Sequence, residues 1–276
     1  MKKVLVVEDD RPTRYLLSKV LKAARFSVAT AQDGVEGLKQ LRKNKFDLVL
    51  LDIWMPRMNG LELLAHMRNE PWRPKAVVMT SDNTPETLLR AVRDQAYQYI
   101  SKPVDPKGVV KLVEEALAAS PAPPIEVLSA RPEWVELLVP CEVSAAERIQ
   151  GFMARLDADL SEEVRGSIGQ VFHEMLINAI EWGGRLDPNR KVRISCLRTR
   201  RMILYRIADP GPGFKLEELD HAAISYAPEQ VLEHVEVRRQ KGIRPGGFGI
   251  LMARAMVDEL IYNEARNEVV FIKYLD

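Results

Sequence analysis

The sequence predicts an α/β chain whose first half is a parallel sheet covered by helices, and three observations carry that expectation. Short apolar runs alternate with amphipathic segments five times within residues 1–119, the pattern of β–α units rather than of hairpins. One run, Leu48–Leu51, is apolar at every position and ends on Asp52; a strand without polar alternation is one buried on both faces. A proline-rich stretch, Ala118-Ala119-Ser120-Pro121-Ala122-Pro123-Pro124, then interrupts the pattern, and its prolines lack N–H donors and favour extended chain. Residues 120–132 are therefore read as a short, stiff linker between a domain at 1–119 and a second at 133–276. At 276 residues the chain is long enough for each half to bury its own core.

In chain order, Val4–Val7 is a strand closed by Glu8, Asp9 and Asp10. Arg11 to Lys22 has helical spacing, with Leu16, Leu17, Val20 and Leu21 on one side. Ser27–Thr30 reads as a strand, Asp33-Gly34 as a turn or helix start, and Val35, Leu38 and Leu41 as the stripe of the next helix. After the Asp52 strand come a helix over 61–68, a strand over 76–79, a helix over 85–94, a strand over 97–100 and a helix over 106–118. In the second half, Trp134–Val139 alternates as a strand does, and Ser144 is placed to cap a helix reaching Leu156. A further helix starts near Ser161 and runs to Trp182; Ile203–Ala208 is a strand, and an apolar helix covers 251–260.

Composition excludes several classes. Hydrophobic content of 46% and charged content of 29% are those of a globular protein. A net charge of +1 gives no global attraction to nucleic acid. The apolar segment at the N-terminus is too short for a signal peptide or a membrane span, so a cytoplasmic location is expected. Cys141 and Cys196 lie far apart without metal-ligand spacing, as buried free thiols do in a reducing compartment.

Ligands of parallel sheets sit at the carboxyl ends of the strands. There the first domain places Glu8, Asp9 and Asp10, then Asp52, then Thr80-Ser81, then Lys102. Taken alone, Asp52 has a lesser alternative reading, as a cap of the following helix. Carboxylates converging on one edge repel one another unless a divalent cation sits among them, and oxygen ligands of this kind suit Mg2+. With a hydroxyl and an ammonium beside them, the set fits transfer of a phosphoryl group to a carboxylate nucleophile, Asp52.

On these residues the chain resembles a response-regulator receiver domain over nearly all of 1–119. The matching residues are Glu8-Asp9 in VVEDD, Asp52 in LLDIWMP, Thr80 in VVMTSD, and Tyr99 and Lys102-Pro103 in YISKP. The resemblance implies a flavodoxin-like (βα)5 fold with Asp52 as phosphoacceptor. It implies Mg2+ held by Glu8, Asp9, Asp52 and the backbone carbonyl of Trp54, with Thr80 and Lys102 gripping the phosphoryl group and Tyr99 turning as part of the switch. It also implies a cognate sensor histidine kinase as partner, and is compatible with a homodimer through the receiver's last helices and strand.

In the second half, Glu174 and Asn178 are four residues apart and project from one helix face. By themselves they read as a surface pair or as a metal and catalytic pair. Asp209-Pro210-Gly211-Pro212-Gly213-Phe214 follows a strand, and Gly246-Gly247-Phe248-Gly249 opens a helix. Glycines let backbone approach a ligand, and a helix N-terminus favours phosphate. The spacing is not that of a P-loop.

This ordered set resembles the ATP-binding domain of histidine kinases, gyrase-type ATPases and Hsp90-type chaperones, an α/β two-layer sandwich, and within it the anti-sigma-factor serine/threonine kinases. The resemblance implies that Asn178 binds the Mg2+ of Mg-ATP and that Glu174 is the general base on a substrate hydroxyl. It implies that Asp209 accepts the adenine amino group and that Gly211 and Gly213 line its pocket. Gly247 and Gly249 would present N–H groups to the phosphates, under a lid between Phe214 and Gly246. The chain departs from the family pattern at Trp182-Gly183, where His-Gly is usual, at Arg266-Asn267-Glu268-Val269, where a Gly-Thr-Thr-like stretch is usual, and in its long charged lid.

No histidine stands in the context of a kinase phosphoacceptor, and no helix-turn-helix signature is present. The expected function is a phosphorelay response regulator whose phosphorylation at Asp52 controls an ATP-binding output. That output would be a protein serine/threonine kinase acting on, or sequestering, a sigma factor or anti-sigma-factor antagonist, without direct nucleic-acid or membrane binding. The alternative is a degenerate ATPase fold that binds a partner without turnover.

Overall fold

A computed structural model describes all residues except 69, 71–72, 82–83, 120–122, 132, 216–222, 224–232, 241–246 and 276, and for 233, 234 and 238 the backbone alone. The chain divides into two compact units, Met1–Ala122 and Pro123–Asp276.

The first unit alternates β1 (Lys3–Val7), α1 (Arg11–Ala23), β2 (Ser27–Ala31), α2 (Gly34–Lys43), β3 (Leu48–Asp52), α3 (Gly60–Arg68), β4 (Lys75–Thr80), α4 (Pro85–Arg93), β5 (Gln98–Ser101) and α5 (Pro106–Ala118). The strands form one parallel sheet in the order β2-β1-β3-β4-β5. Every residue of β3 is buried, as its unbroken apolar run requires. Val4, Val6, Leu48, Leu50, Val77 and Met79 pack on one face against Leu17 and Leu21 of α1 and Val109 and Val113 of α5. Aspartates start three of the helices. Asp10, Asp33 and Asp105 each accept a backbone N–H from the first turn, satisfying donors that the helix cannot.

The second unit contains β6 (Glu126–Arg131), β7 (Trp134–Pro140), α6 (Val143–Leu156), α7 (Glu162–Asn178), a π-helical turn (Ala179–Gly183), β8 (Lys191–Arg198), β9 (Met202–Ala208), α8 (Glu233–Gln240), α9 (Gly249–Met256), β10 (Glu259–Tyr262) and β11 (Glu268–Tyr274). The six strands form an antiparallel sheet in the order β10-β11-β9-β8-β7-β6. Its core face supplies Val135, Leu137, Ile194, Tyr205, Ile207 and Phe271, and α7 supplies Phe172, Met175 and Leu176. The Tyr205 ring lies between Phe172 and Phe271, at centroid distances of 5.1 and 5.2 Å.

Four expectations are corrected. Residues 126–131, read as the end of the linker, are an edge strand bonded to β7; with one neighbour it needs no clean apolar alternation. Helix α6 begins one residue before Ser144, whose hydroxyl bonds the Glu142 carboxylate instead of capping. The helix from Ser161 does not run α-helical to Trp182 but widens into the π turn after Asn178. The apolar segment 251–260 is split, ending as helix at Met256 and continuing as β10. Ser120-Pro121-Ala122 of the linker and residues 216–222, 224–232 and 241–246 of the lid segment lie outside the described residues, while Glu233–Gln240 of that segment is α8.

Candidate functional sites

In the first unit the carboxyl ends of β1 and β3 bring Glu8, Asp9 and Asp52 together. One carboxylate oxygen from each lies within 4.8 Å of the others. Glu8 and Asp52 are buried and Asp9 is exposed. The Lys102 ammonium, just beyond β5, stands 2.9 Å from Glu8 and 2.9 Å from Asp52. Burial pushes the Glu8 carboxyl up to about 6; Lys102 pulls against this and Asp52 adds to it. Burial lowers the Lys102 pKa, but hydrogen bonds to Asp52 and Glu8 outweigh it and hold the ammonium above the usual lysine value.

One lysine does not saturate this acid cluster. Glu8 Oε1 accepts a hydrogen bond from Lys102, whereas Glu8 Oε2, close to the same ammonium, is buried without an aligned donor. An under-satisfied buried carboxylate oxygen beside two further carboxylates fits a hard divalent cation such as Mg2+.

Thr80, the last residue of β4, and Tyr99 in β5 are both buried. The Trp54 side chain is 57% exposed. Sequence reasoning missed Gly60, where a Cβ would stand 2.0 Å from the Asp52 carbonyl oxygen. Its N–H bonds Ile53 O at 2.8 Å, so the loop after Asp52 closes back on the strand end.

In the second unit a cavity of about 460 Å3 is lined by residues from four separated stretches: Glu174 and Asn178 of α7, Asp209 and Gly213 after β9, Gly247 and Gly249 at the start of α9, and Tyr262 and Asn267 around the β10–β11 turn. Glu174 and Asn178 have no hydrogen-bond or ion-pair partner among the described residues. Polar side chains left open in a cavity wall have bonding capacity for a ligand. His173, their neighbour, points elsewhere and pairs with Gln150 at 2.8 Å.

Asp209 is held from behind. Its Oδ1 accepts the Gly211 N–H at 2.7 Å, which leaves Oδ2 for a donor in the cavity. Burial raises the Asp209 pKa, against the Gly211 hydrogen bond and the Arg190 charge. Gly211 itself stands behind the carboxylate; a Cβ there would meet Asp209 Oδ1 at 2.7 Å and Gly183 Cα at 2.9 Å. Gly183 has the same constraint, with a Cβ position 2.2 Å from Asp209 Cγ. The π turn thus presses its glycine flat against the carboxylate, and extra backbone inserted at a site is a recurrent use of that geometry. Gly213 has φ +85° and a Cβ position 1.6 Å from Ala265 O, so only glycine fits. The apolar wall includes Phe214 and Tyr262, edge to face at 5.6 Å. Their helix- and strand-like spacing gives no signal that they meet.

Comparison with known proteins matches both domains. Residues 4–114 match the response regulator receiver domain, and residues 140–273 match the histidine kinase-like ATPase domain. The DNA-binding response regulator MtrA of Mycobacterium tuberculosis is 30% identical over 202 residues, 73% of this chain and 87% of that protein. The transcriptional regulatory protein GlrR of Escherichia coli is 27% identical over 180 residues, 64% of this chain and 39% of that one. A solved CheY-like receiver domain protein from Methanospirillum hungatei is 29% identical, covering 42% of this chain and 94% of that one, with a TM-score of 0.41. The chain belongs to the response regulators, and it joins a receiver domain to a histidine kinase-like ATPase domain. No described helix is long and apolar enough to cross a membrane.

Proposed function

We propose that this protein accepts a phosphoryl group on Asp52 from a sensor histidine kinase and thereby controls an ATP-binding output domain that phosphorylates or sequesters a protein partner. In the receiver, an Asp52 carboxylate oxygen attacks phosphorus; the O–P bond forms as the donor's P–N bond breaks, and the histidine leaves with a proton. Glu8, Asp9, Asp52 and the Trp54 carbonyl would hold Mg2+, which supplies positive charge to the phosphoryl oxygens. Lys102 and Thr80 hold the same oxygens, and Tyr99 turns with them.

The observation that carries the output reading is the convergence of Glu174, Asn178, Asp209, Gly247 and Gly249 on one cavity from stretches far apart in sequence. Asp209, with one oxygen engaged by Gly211 and the other open, suits a base that presents an amino group. Asn178 would bind the Mg2+ of Mg-ATP, the start of α9 would face the phosphates, and Glu174 would take the proton of an attacking serine or threonine hydroxyl. By its likeness to anti-sigma-factor kinases, the partner we propose is a sigma factor or an anti-sigma-factor antagonist. MtrA is described as DNA-binding, but here residues 140–273 match the ATPase model, and we propose no direct nucleic-acid contact.

The test is Mg-ATP titration into the full chain beside its Asn178→Ala and Glu174→Ala variants, with phosphotransfer to candidate partners followed in parallel. Binding lost in the first variant and phosphotransfer lost in the second support a kinase. Partner affinity that survives Glu174→Ala, with no phosphotransfer by the wild type, supports the second reading of a sequestering protein. The departures at Trp182 and at 266–269 favour that second reading.

A further inference from the structure

The loop that carries Asp209 is gripped by a turn far away in sequence. Between β10 and β11, residues 263–267 meet residues 209–214 at several points. The Asp209 N–H donates to Asn267 O at 2.8 Å, and the Phe214 N–H donates to Ala265 O at 3.2 Å. The Asn267 side-chain amide donates to Gly211 O at 3.0 Å. Its own oxygen is fixed in turn, accepting from Asn263 Nδ2 at 2.8 Å, while Asn263 Oδ1 accepts the Glu268 N–H at 3.2 Å. Arg266, with φ +59°, sets its guanidinium 6.0 Å from the Phe214 ring centroid. On the opposite side the Arg190 guanidinium bonds Pro210 O.

Two of these tethers, Asp209 N–H to Asn267 O and Phe214 N–H to Ala265 O, are backbone to backbone and do not depend on the side chains. Two side chains also bond this loop: the Arg190 guanidinium at Pro210 O, and the Asn267 amide at the carbonyl of Gly211, the residue whose N–H holds the Asp209 carboxylate. Gly211 donates its N–H to Asp209 Oδ1 and offers its carbonyl to Asn267, so one residue links the two. Rotating the Gly211 carbonyl away from Asn267 would loosen the contact that fixes Asp209. Asn267 also lines the cavity. Its wide separation in sequence from the DPGPGF loop gives no hint of the link.

We propose that Asn267 is a positioning residue for base recognition: through Gly211 it fixes the Asp209 carboxylate so that the site selects a nucleotide whose base presents an amino group. This rests on the reading of the cavity as a nucleotide site. The amide's two hydrogen bonds are both satisfied within the chain, so it makes its contribution by holding a loop rather than by reading the base itself.

The experiment compares ATP with inosine triphosphate, which has the same ribose and phosphates but an oxo group in place of the amino group. Both are titrated with Mg2+ into the full chain and into its Asn267→Ala and Asn267→Asp variants. The wild type is expected to prefer ATP. Each variant should lose about tenfold in ATP affinity, the order of one well-placed hydrogen bond, with inosine triphosphate affinity unchanged. Asn267→Asp keeps size and an acceptor for Asn263 but loses the donor to Gly211, so it should behave as Asn267→Ala does. An equal fall for both nucleotides, no fall at all, or failure of both variants to fold would overturn the proposal, since each marks a merely structural or idle residue. A wild type that binds both nucleotides equally would overturn the proposal while leaving a nucleotide site; one that binds neither would remove the nucleotide reading and the proposal with it.

Discussion

Replacing Lys102 with methionine removes an ammonium that faces both Glu8 and Asp52, at 2.9 Å from each. Methionine fills the same volume, so the loss is electrostatic. Breaking a buried charge pair by removing one partner costs about 3–5 kcal/mol. Here the cost is smaller because Lys102 is 22% exposed and because Glu8, already pushed up to about 6, can take a proton instead. A loss of about 2–3 kcal/mol near neutral pH follows, or roughly 6–12 °C in the receiver's unfolding midpoint.

The loss has a pH signature. Glu8 has a raised pKa in the folded state, so the stability it contributes is present below its ordinary carboxylate range and is lost as pH rises through about 6. Without Lys102 that pKa rises further, so the variant's deficit should shrink on acidification to about pH 5. Millimolar Mg2+ should restore more stability to the variant than to the wild type, because Glu8 and Asp52 then lack their resident cation. Thermal unfolding of the full chain, with and without Mg2+ at two pH values, measures all of this. Equal Mg2+ stabilisation of both proteins, or a deficit independent of pH, would refute the reasoning.

Three further outcomes follow from the geometry. Asp157 is buried beneath Tyr205, whose O–H donates to it at 2.7 Å; burial pushes its carboxyl up to about 6. Its contribution to stability is therefore present below its ordinary range and lost as pH rises through about 6, a cost of about 3 kcal/mol for charging it in the fold. Asp157→Asn keeps the acceptor, so urea unfolding of the second unit should be less pH-dependent between about pH 5 and 7.5; an unchanged pH dependence would contradict this. Gly183→Ala should displace Asp209, whose Cγ lies 2.2 Å from the added Cβ, costing about 1–3 kcal/mol of stability and weakening Mg-ATP in calorimetry by at least tenfold, by about 1.4 kcal/mol. Gly60→Ala places a Cβ 2.0 Å from Asp52 O, and phosphorylation by a small acyl phosphate should slow sharply while the Gly37→Ala control, with its nearest contact at 3.0 Å to a Leu63 methyl, stays close to wild type.

How much of this was legible in the sequence depended on how local each signal is. The parallel sheet could be read from the unbroken apolar run of β3 together with the five β–α alternations around it. The receiver residues followed, since strand ends of one sheet meet at one edge whatever the loops do. Strand β6 was hidden by its proline-rich flank and by its position at the sheet edge. The split of 251–260 into α9 and β10 was hidden because one apolar segment serves two periods, and the antiparallel pairing with β11 decides where it changes. In the cavity, Glu174, Asn178 and Asp209 could be found from spacing and glycine context. Tyr262 could not, and Gly183 and Asn267 were visible only as motif positions, since the contacts of all three arise only when the β10–β11 turn and the π turn close on the Asp209 loop.

Control of the nucleotide site by Asp52, as we propose it, is tested by the Mg-ATP affinity of the full chain before and after phosphorylation by an acyl phosphate, beside Asp52→Asn. Coupling of this kind shifts affinity by about 5–150-fold. A shift within that range is expected in the wild type and none in Asp52→Asn. Identical Mg-ATP affinity in phosphorylated, unphosphorylated and Asp52→Asn protein would contradict it.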